Sequence, residues 1–341
     1  MSHEGALVAL LLVVFIIASI AVDNFASART LNFLLLDVAP LLMMASAMAL
    51  VIVSGEIDLS VASVFGLSSV VLGLLIQSGS PLGFAILVAI AVGTIAGIFN
   101  GYLVAYVGLP SLAVTIGTLA LYRGIAVGSL GTTAVTDFPA DATQLARSTI
   151  GDSPIPLIIV PVLLVAVVAI VILHYTPFGR GVFAIGQNSS VAKFSGVNIQ
   201  RTKLLLFAAS GTMAAVGGVY LTLRFSNSIG SNGIGLELQV IAAVVLGGVS
   251  IFGGRGTVFG ALIGVLLIGV LGSSLRLAGI PANTIDVVVG GVLITSVLIG
   301  ALEGLSSRRS RRRHPKGMAE VNDANPKPAE QQAGSLREEK K

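Results

Sequence analysis

Two carboxylates, Glu56 and Asp58, interrupt the apolar run "VIVSGEIDLSVASVFG" (51–66), beside Gly55 and next to Ser60. Acids this close could act as a general acid/base pair, hold a cation, or bond to backbone where a helix is broken. Ser54 and Gly55 are helix-ending residues, and an aspartate just ahead of an apolar run can cap the amides of the next helix and complement its dipole. The spacing therefore favours Asp58 as a cap and leaves Glu56 as the freer acid. Other chemistry has little support. His3, His174 and His314 lie far apart in no ligand spacing, and there is no cysteine, so thiolate metal sites, thiol nucleophiles and disulfides are excluded. No phosphate-binding P-loop, nucleophile elbow, zincin pair or dinucleotide fingerprint occurs. "GGRG" (253–256) lacks the phosphate-binding lysine and is expected to be a tight turn between helices.

The residues around these acids are those of a membrane protein. Of 341 residues, 55% are hydrophobic and 11% charged, where soluble domains carry about 25% charged residues; the mean hydropathy is +0.97. Crossing the hydrocarbon core takes about 20 apolar residues. That length gives ten expected spans, at 5–23, 31–53, 60–77, 83–104, 110–130, 155–174, 204–223, 237–252, 257–276 and 283–302. The fold class is thus an all-α polytopic bundle, with residues 1–302 forming the membrane domain. Residues 303–341 form a disordered polybasic tail that supplies the whole net charge of +4. The first span has no leading basic cluster or cleavage site and is expected to be retained.

Basic residues orient the bundle. Arg180, Lys193, Arg201 and Lys203 fall in the loop after span six, and the polybasic tail follows span ten. Both follow even-numbered spans, which places both termini and the 175–203 loop in the cytoplasm. The loop after span five carries Asp137, Asp141 and Asp152 against Arg147 alone and falls outside. Small-residue steps such as "GALIGVLLIG" let helices approach closely in lipid. A weak internal likeness links 54–67 to 246–262, either a repeat or chance similarity between Gly-rich segments.

Within the 175–203 loop, Tyr175 to Gly186 reads as irregular chain because of Pro177, Gly179, Gly181 and Gly186. The following "NSSVAKFSGV" starts a helix at Asn188 or Ser189 and ends it at Gly196. A helix of about two turns is too short to stand alone in water. Docking into a groove on a soluble partner and resting on the membrane surface are both compatible with it.

Four segments, "SGEIDLSVAS", "NGYLVAYVGLPSLAVTIGTLALYRGIA", "TPFGRGVFAIGQNSSVAKFSGVNIQRTK" and "IAAVVLGGVSIFGGRGTVFGALIGVLLIGVL", resemble in order and spacing the permease subunits of bacterial ABC importers for monosaccharides, of the ribose, xylose, arabinose and rhamnose type. The resemblance covers about residues 29–302; Ala62 departs from a glycine common in that family. It implies a non-catalytic inner-membrane subunit, paired with a second permease as homo- or heterodimer. This pair would sit on a cytoplasmic ATPase that binds ATP and Mg and receive sugar from a periplasmic binding protein. The chain itself would bind no cofactor and no nucleic acid. The resemblance also implies that Ser189, Ser190, Val191, Ala192, Lys193, Phe194, Ser195 and Gly196 form the coupling helix, and that Gly55, Glu56, Asp58 and Ser60 form a signature turn. Branched-chain amino-acid permeases are a neighbouring group.

Polar residues within the spans are the candidates for a solute path. A charge at the centre of a membrane helix costs about 2.5–3.5 kcal/mol on insertion scales, so Arg123 needs a partner, a cavity or a second subunit. Asp37, Glu237, Arg276 and Asp286 are expected toward the same outer side, with Arg123–Asp37 or Arg123–Asp286 as candidate pairs. Asn100, Thr115, Thr118, Tyr122 and Asn283 offer the hydroxyl and amide groups a neutral polyol needs. An ion- or proton-coupled transporter working alone would instead place titratable groups near the midplane, whereas these acids sit at helix ends. A membrane enzyme would need a nucleophile or metal constellation that the sequence lacks.

Overall fold

The structure, a computed structural model, describes residues 3–281, 283–285, 287–291 and 294–295. These all belong to the unit Met1–Leu298; Asp286, the tail 303–341 and much of the expected tenth span lie outside the described residues. Among the described residues the fold is all-helical, 75% helix, with no strand. The helices are α1 (His3–Ala21), α2 (Ala28–Val53), α3 (Val61–Gln77), α4 (Leu82–Tyr102, continued by a π-helical turn Leu103–Val107) and α5 (Ser111–Leu130). They continue with α6 (Ala140–Arg147), α7 (Ile159–Tyr175), α8 (Pro177–Gln187), α9 (Ser189–Phe194), α10 (Ile199–Phe225), α11 (Leu236–Leu246) and α12 (Val258–Leu277).

Each of the first nine expected spans falls on a helix. Among the described residues six helices are long and apolar enough to cross a membrane: α1, α2, α4 with its π turn, α5, α10 and α12. A seventh span results if α7 and α8, bent by 70° at their junction, count together. The difference from ten has a structural cause beyond the undescribed residues. The helices α3 and α11, with 17 and 11 residues, are shorter apolar helices; α3 begins on buried residues and α11 on half-buried ones.

The centre of the bundle is α10, which packs on α4, α3 and α2. Its contact with α4 is nearly backbone to backbone: a Cβ on Gly211 would overlap the Gly93 carbonyl, and one on Gly97 would overlap the Phe207 carbonyl. The same small-residue packing joins α12 to α11, where Gly260 and Gly264 face Gly247 and Ala243. Helix α2 is buried along most of its length, whereas α1 is peripheral.

The segment expected to be irregular, Tyr175–Gly186, is largely helix α8. Thr176 caps it by accepting from the Gly179 amide at 3.2 Å, and Pro177 stands in its first turn, where its missing N–H costs nothing. Its glycines serve close packing rather than chain breaking. A Cβ on Gly179 would strike the Leu173 carbonyl, and one on Gly186 the Val53 carbonyl.

Backbone contact at α4–α10 leads to a stability prediction. Gly211→Ala should destabilise the folded protein by about 1–3 kcal/mol, the usual cost of overpacking. Gly83→Ala, where a Cβ meets nothing within 4 Å, should stay within about 0.5 kcal/mol. Thermal unfolding in detergent measures both.

Candidate functional site

Two stretches of chain leave helical conformation inside the bundle and meet at the start of α3. The first, residues 54–60, follows α2. Gly55 turns the backbone with φ +84°, Glu56 pairs with Lys203 near the start of α10, and Asp58 Oδ2 accepts from Ser210 Oγ at 2.8 Å. Lys203 and Ser210 are seven residues apart on one helix, so the segment runs about 10 Å along α10 before α3 begins. The second stretch, "SNSIGSNGIG" (226–235), runs along α3 in the same manner. Ser228 Oγ donates to the Ser69 carbonyl at 2.8 Å, and a Cβ on Gly233 would lie 3.0 Å from the Ala62 carbonyl. Helix α11 then starts beside the first turn of α3.

Arg123 of α5 joins the second stretch to the first turn of α3, into which the first stretch leads. Its Nη1 donates to the carbonyls of Gly230 (2.8 Å) and Asn232 (2.7 Å), and its Nη2 to the carbonyl of Ala62 (2.9 Å). This corrects the expected Arg123–Asp37 pair. Asp37 instead receives Arg224 at 2.6 Å and Arg276 at 3.2 Å, tying α2 to α10 and α12; Asp286 lies outside the described residues. Hydrogen bonds to a charged donor contribute about 1.5–3 kcal/mol each, which offsets the insertion cost of the guanidinium. The Gly230 and Asn232 carbonyls gain as much, because the 226–235 stretch leaves them without helical partners, whereas Ala62 lies in the first turn of α3. Glu237 opens α11 beside this cluster and accepts the Gly235 amide through Oε2 at 3.1 Å, an acid at a helix N-terminus.

The signature turn has its own network. Asp58, 1% exposed, accepts the Ser60 amide at 3.0 Å and the Ser60 hydroxyl at 2.6 Å through Oδ1. Ser60 Oγ accepts from Asn100 Nδ2 at 2.7 Å. Tyr122 donates to the Ala96 carbonyl (3.1 Å) and to Asn100 Oδ1 (3.3 Å). On α5, Ser111 Oγ accepts the Ile57 amide and Thr115 Oγ1 donates to the Ile57 carbonyl, both at 3.3 Å, while Thr118 bonds back to Val114 at 3.0 Å.

Asp58 is therefore more than the expected cap. Its carboxylate takes the Ser60 amide and crosses to α10, and the first turn of α3 receives no side-chain cap bond from the N-cap Ser60. Glu56 is likewise not free but ion-paired. Asn100, Thr115, Thr118, Tyr122 and Arg123 come together here, buried or half-buried and bonded to protein. Asn283 does not; it is exposed beyond α12. The sequence reading missed Ser111, Ser210 and the 226–235 stretch, although its Ser, Asn and Gly cluster between two apolar runs is the mark of a broken span. Among the described residues no three His, Cys, Asp or Glu side chains are grouped to hold a metal ion.

The 175–203 loop contains the expected short helix. Asn188 Oδ1 accepts the amides of Ser190 (3.0 Å) and Val191 (3.2 Å), and Gly196 ends α9 with φ +81°. Ala192 is buried, whereas Val191 is 60% and Phe194 92% exposed. The C-terminal end of α8, which leads into α9, is locked to both inter-helix turns. Gly186 packs against Val53 and Gly254, and the Gly254 amide donates to the Val53 carbonyl at 2.8 Å.

Residues 30–297 match the family model described as "Branched-chain amino acid transport system / permease component". The autoinducer 2 import system permease protein LsrD of Photorhabdus laumondii is 34% identical over 304 residues, covering 86% of this chain and 90% of that protein. Its counterpart in Yersinia pestis strain Pestoides F is 34% identical over 324 residues, covering 91% and 96%. The same figures hold for Yersinia pseudotuberculosis serotype O:3. No solved structure matches.

The Asp58 network separates charge from hydrogen bonding. Asp58→Leu leaves the Ser60 and Ser210 donors unsatisfied, at about 1–3 kcal/mol each, whereas Asp58→Asn keeps an acceptor. Thermal unfolding and solute uptake in vesicles should both rank wild type above Asn and Asn above Leu. Equal loss from the two variants would assign the role to the charge itself.

Proposed function

Since the chain belongs to the family of permease components of the branched-chain amino acid transport system, we propose that it is the membrane-embedded, non-catalytic subunit of an ATP-driven importer for a monosaccharide or similar small polyol. The observation that carries this reading is the likeness to autoinducer 2 import permeases over 86–91% of the chain. The exposed apolar face of α9 supports it. In this reading α9 docks on a cytoplasmic ATPase that binds ATP and Mg, a second permease completes the path, and a periplasmic binding protein delivers the solute. Both termini and α9 face the cytoplasm of a bacterial inner membrane, as the basic residues of the 175–203 loop favour. Ten spans remain part of this proposal, with α3 and α11 counted among them; the tenth falls largely outside the described residues.

The geometry suggests how ATP hydrolysis would reach the path. A displacement of α9 carries α8 with it, and the backbone contacts of Gly186 with Val53 and Gly254 pass it to the turns 54–60 and 247–257. The first turn carries Asp58 and leads into α3, so the polar cluster of Asn100, Thr115, Thr118, Tyr122 and Arg123 rearranges with it. Its hydroxyl and amide groups then become available to a neutral polyol. The family description favours a second reading, a branched-chain amino acid as solute. An ion-coupled carrier working alone is the contrasting class.

Co-expression with a candidate ATPase and a candidate binding protein tests the proposal. Autoinducer 2 and free pentoses are the first solutes to assay, with leucine as the contrast. Solute-stimulated ATP hydrolysis in vesicles should fall by about tenfold or more in Phe194→Asp, the loss of one interface hot spot. Solute movement by the purified chain alone, driven by a proton gradient, would contradict the proposal.

A further inference from the structure

Apart from Phe194, the most exposed aromatic ring among the described residues is Phe252, 88% exposed on the turn between α11 and α12. This turn is firmly built. The Ser250 amide donates to the Arg255 carbonyl at 3.0 Å, Gly253 to Ser250 at 2.9 Å and Gly254 to Val53 of α2 at 2.8 Å. Gly253 and Gly254 adopt φ of +79° and +72°, which their lack of a Cβ permits. Loop tips that nothing covers are usually small and polar; here a rigid frame holds an apolar ring in the open. Rigid aromatic anchors of this kind dominate protein–protein interfaces.

The position of the turn indicates the partner. Gly254 packs on Gln187, to the point that a Cβ there would lie 2.6 Å from the Gln187 side chain. Gln187 ends α8, and the next residue, Asn188, caps α9. The Phe252 turn and the exposed face of α9 are therefore continuous surface on one end of the molecule. Arg255 and Lys193, both exposed, give that surface a positive rim. We propose that the 250–255 turn is a second foot on the soluble ATPase that receives α9, with Phe252 filling an apolar pocket rimmed by acidic side chains. This rests on the reading of α9 as the docking helix. It adds a contact through which the ATPase would grip the α11–α12 turn directly, rather than only through α8.

The chain contains no tryptophan, so Phe252→Trp and Phe194→Trp each place a single fluorescent reporter in the full-length protein. In nanodiscs, adding the purified cognate ATPase should blue-shift both emissions and reduce their quenching by acrylamide. Lipids brominated on their chains should leave the Phe252→Trp reporter unquenched. Phe252→Asp should weaken ATPase association by about tenfold or more. If the Phe194→Trp reporter responds and the Phe252→Trp reporter does not, the second foot is wrong and the docking helix stands. Quenching of the Phe252→Trp reporter by brominated lipid before the ATPase is added would make the ring a membrane anchor and overturn the proposal. If neither reporter responds, the docking reading of α9 fails and takes the second foot with it.

Discussion

Inside a bilayer, water is not available to backbone amides and carbonyls that leave a helix, and each one left bare costs several kcal/mol. This protein unwinds its chain twice inside the bundle, at 54–60 and at 226–235, and the polar residues of the interior answer that requirement. Arg123 donates to two carbonyls of the 226–235 stretch and to that of Ala62 in the first turn of α3. Ser111 and Thr115 hold Ile57, and Asp58 connects its own turn to α10. Buried charges thus serve broken backbone first. The same placement sets the start of α11 beside the first turn of α3.

Close packing supplies the frame. Without a hydrophobic force between helices in lipid, contact area and short interhelical distance do the holding. The glycines of α4, α10, α11 and α12 bring backbones together, and Gly186 does the same where α8 meets the turns after α2 and α11. A junction made of backbone has little freedom to deform. It joins α9 to both turns through backbone contacts. The weak sequence likeness between 54–67 and 246–262 coincides with turns that pack against each other here, through Gly55 and Gly253.

Local signals were legible in the sequence and long-range ones were not. Asn188 and Gly196 marked both ends of α9 because capping and left-handed termination are decided within a few residues. Apolar runs located α1 to α5 and α10 to α12 for a similar reason. Helix α8 was misread because Gly179 and Gly186 look like breakers until the carbonyls of Leu173 and Val53 are seen against them. Depth along the spans alone offers Asp37 or Asp286 to Arg123; the sequence holds no sign that Arg224 and Arg276 share the Asp37 carboxylate or that Arg123 finds carbonyls instead. Lys203 and Glu56 are 147 positions apart, a pairing that only the fold of α10 alongside the 54–60 turn creates.

Arg123 holds the 226–235 stretch against the first turn of α3, where the 54–60 turn ends. Hydrogen–deuterium exchange read by mass spectrometry on folded Arg123→Gln protein tests this most directly. Amides of 56–62 and of 228–236 should lose protection together, by about tenfold or more, while the distant α7 and α12 keep theirs. Unchanged protection in both segments would contradict the account and return Arg123 to the role of a charge awaiting a partner.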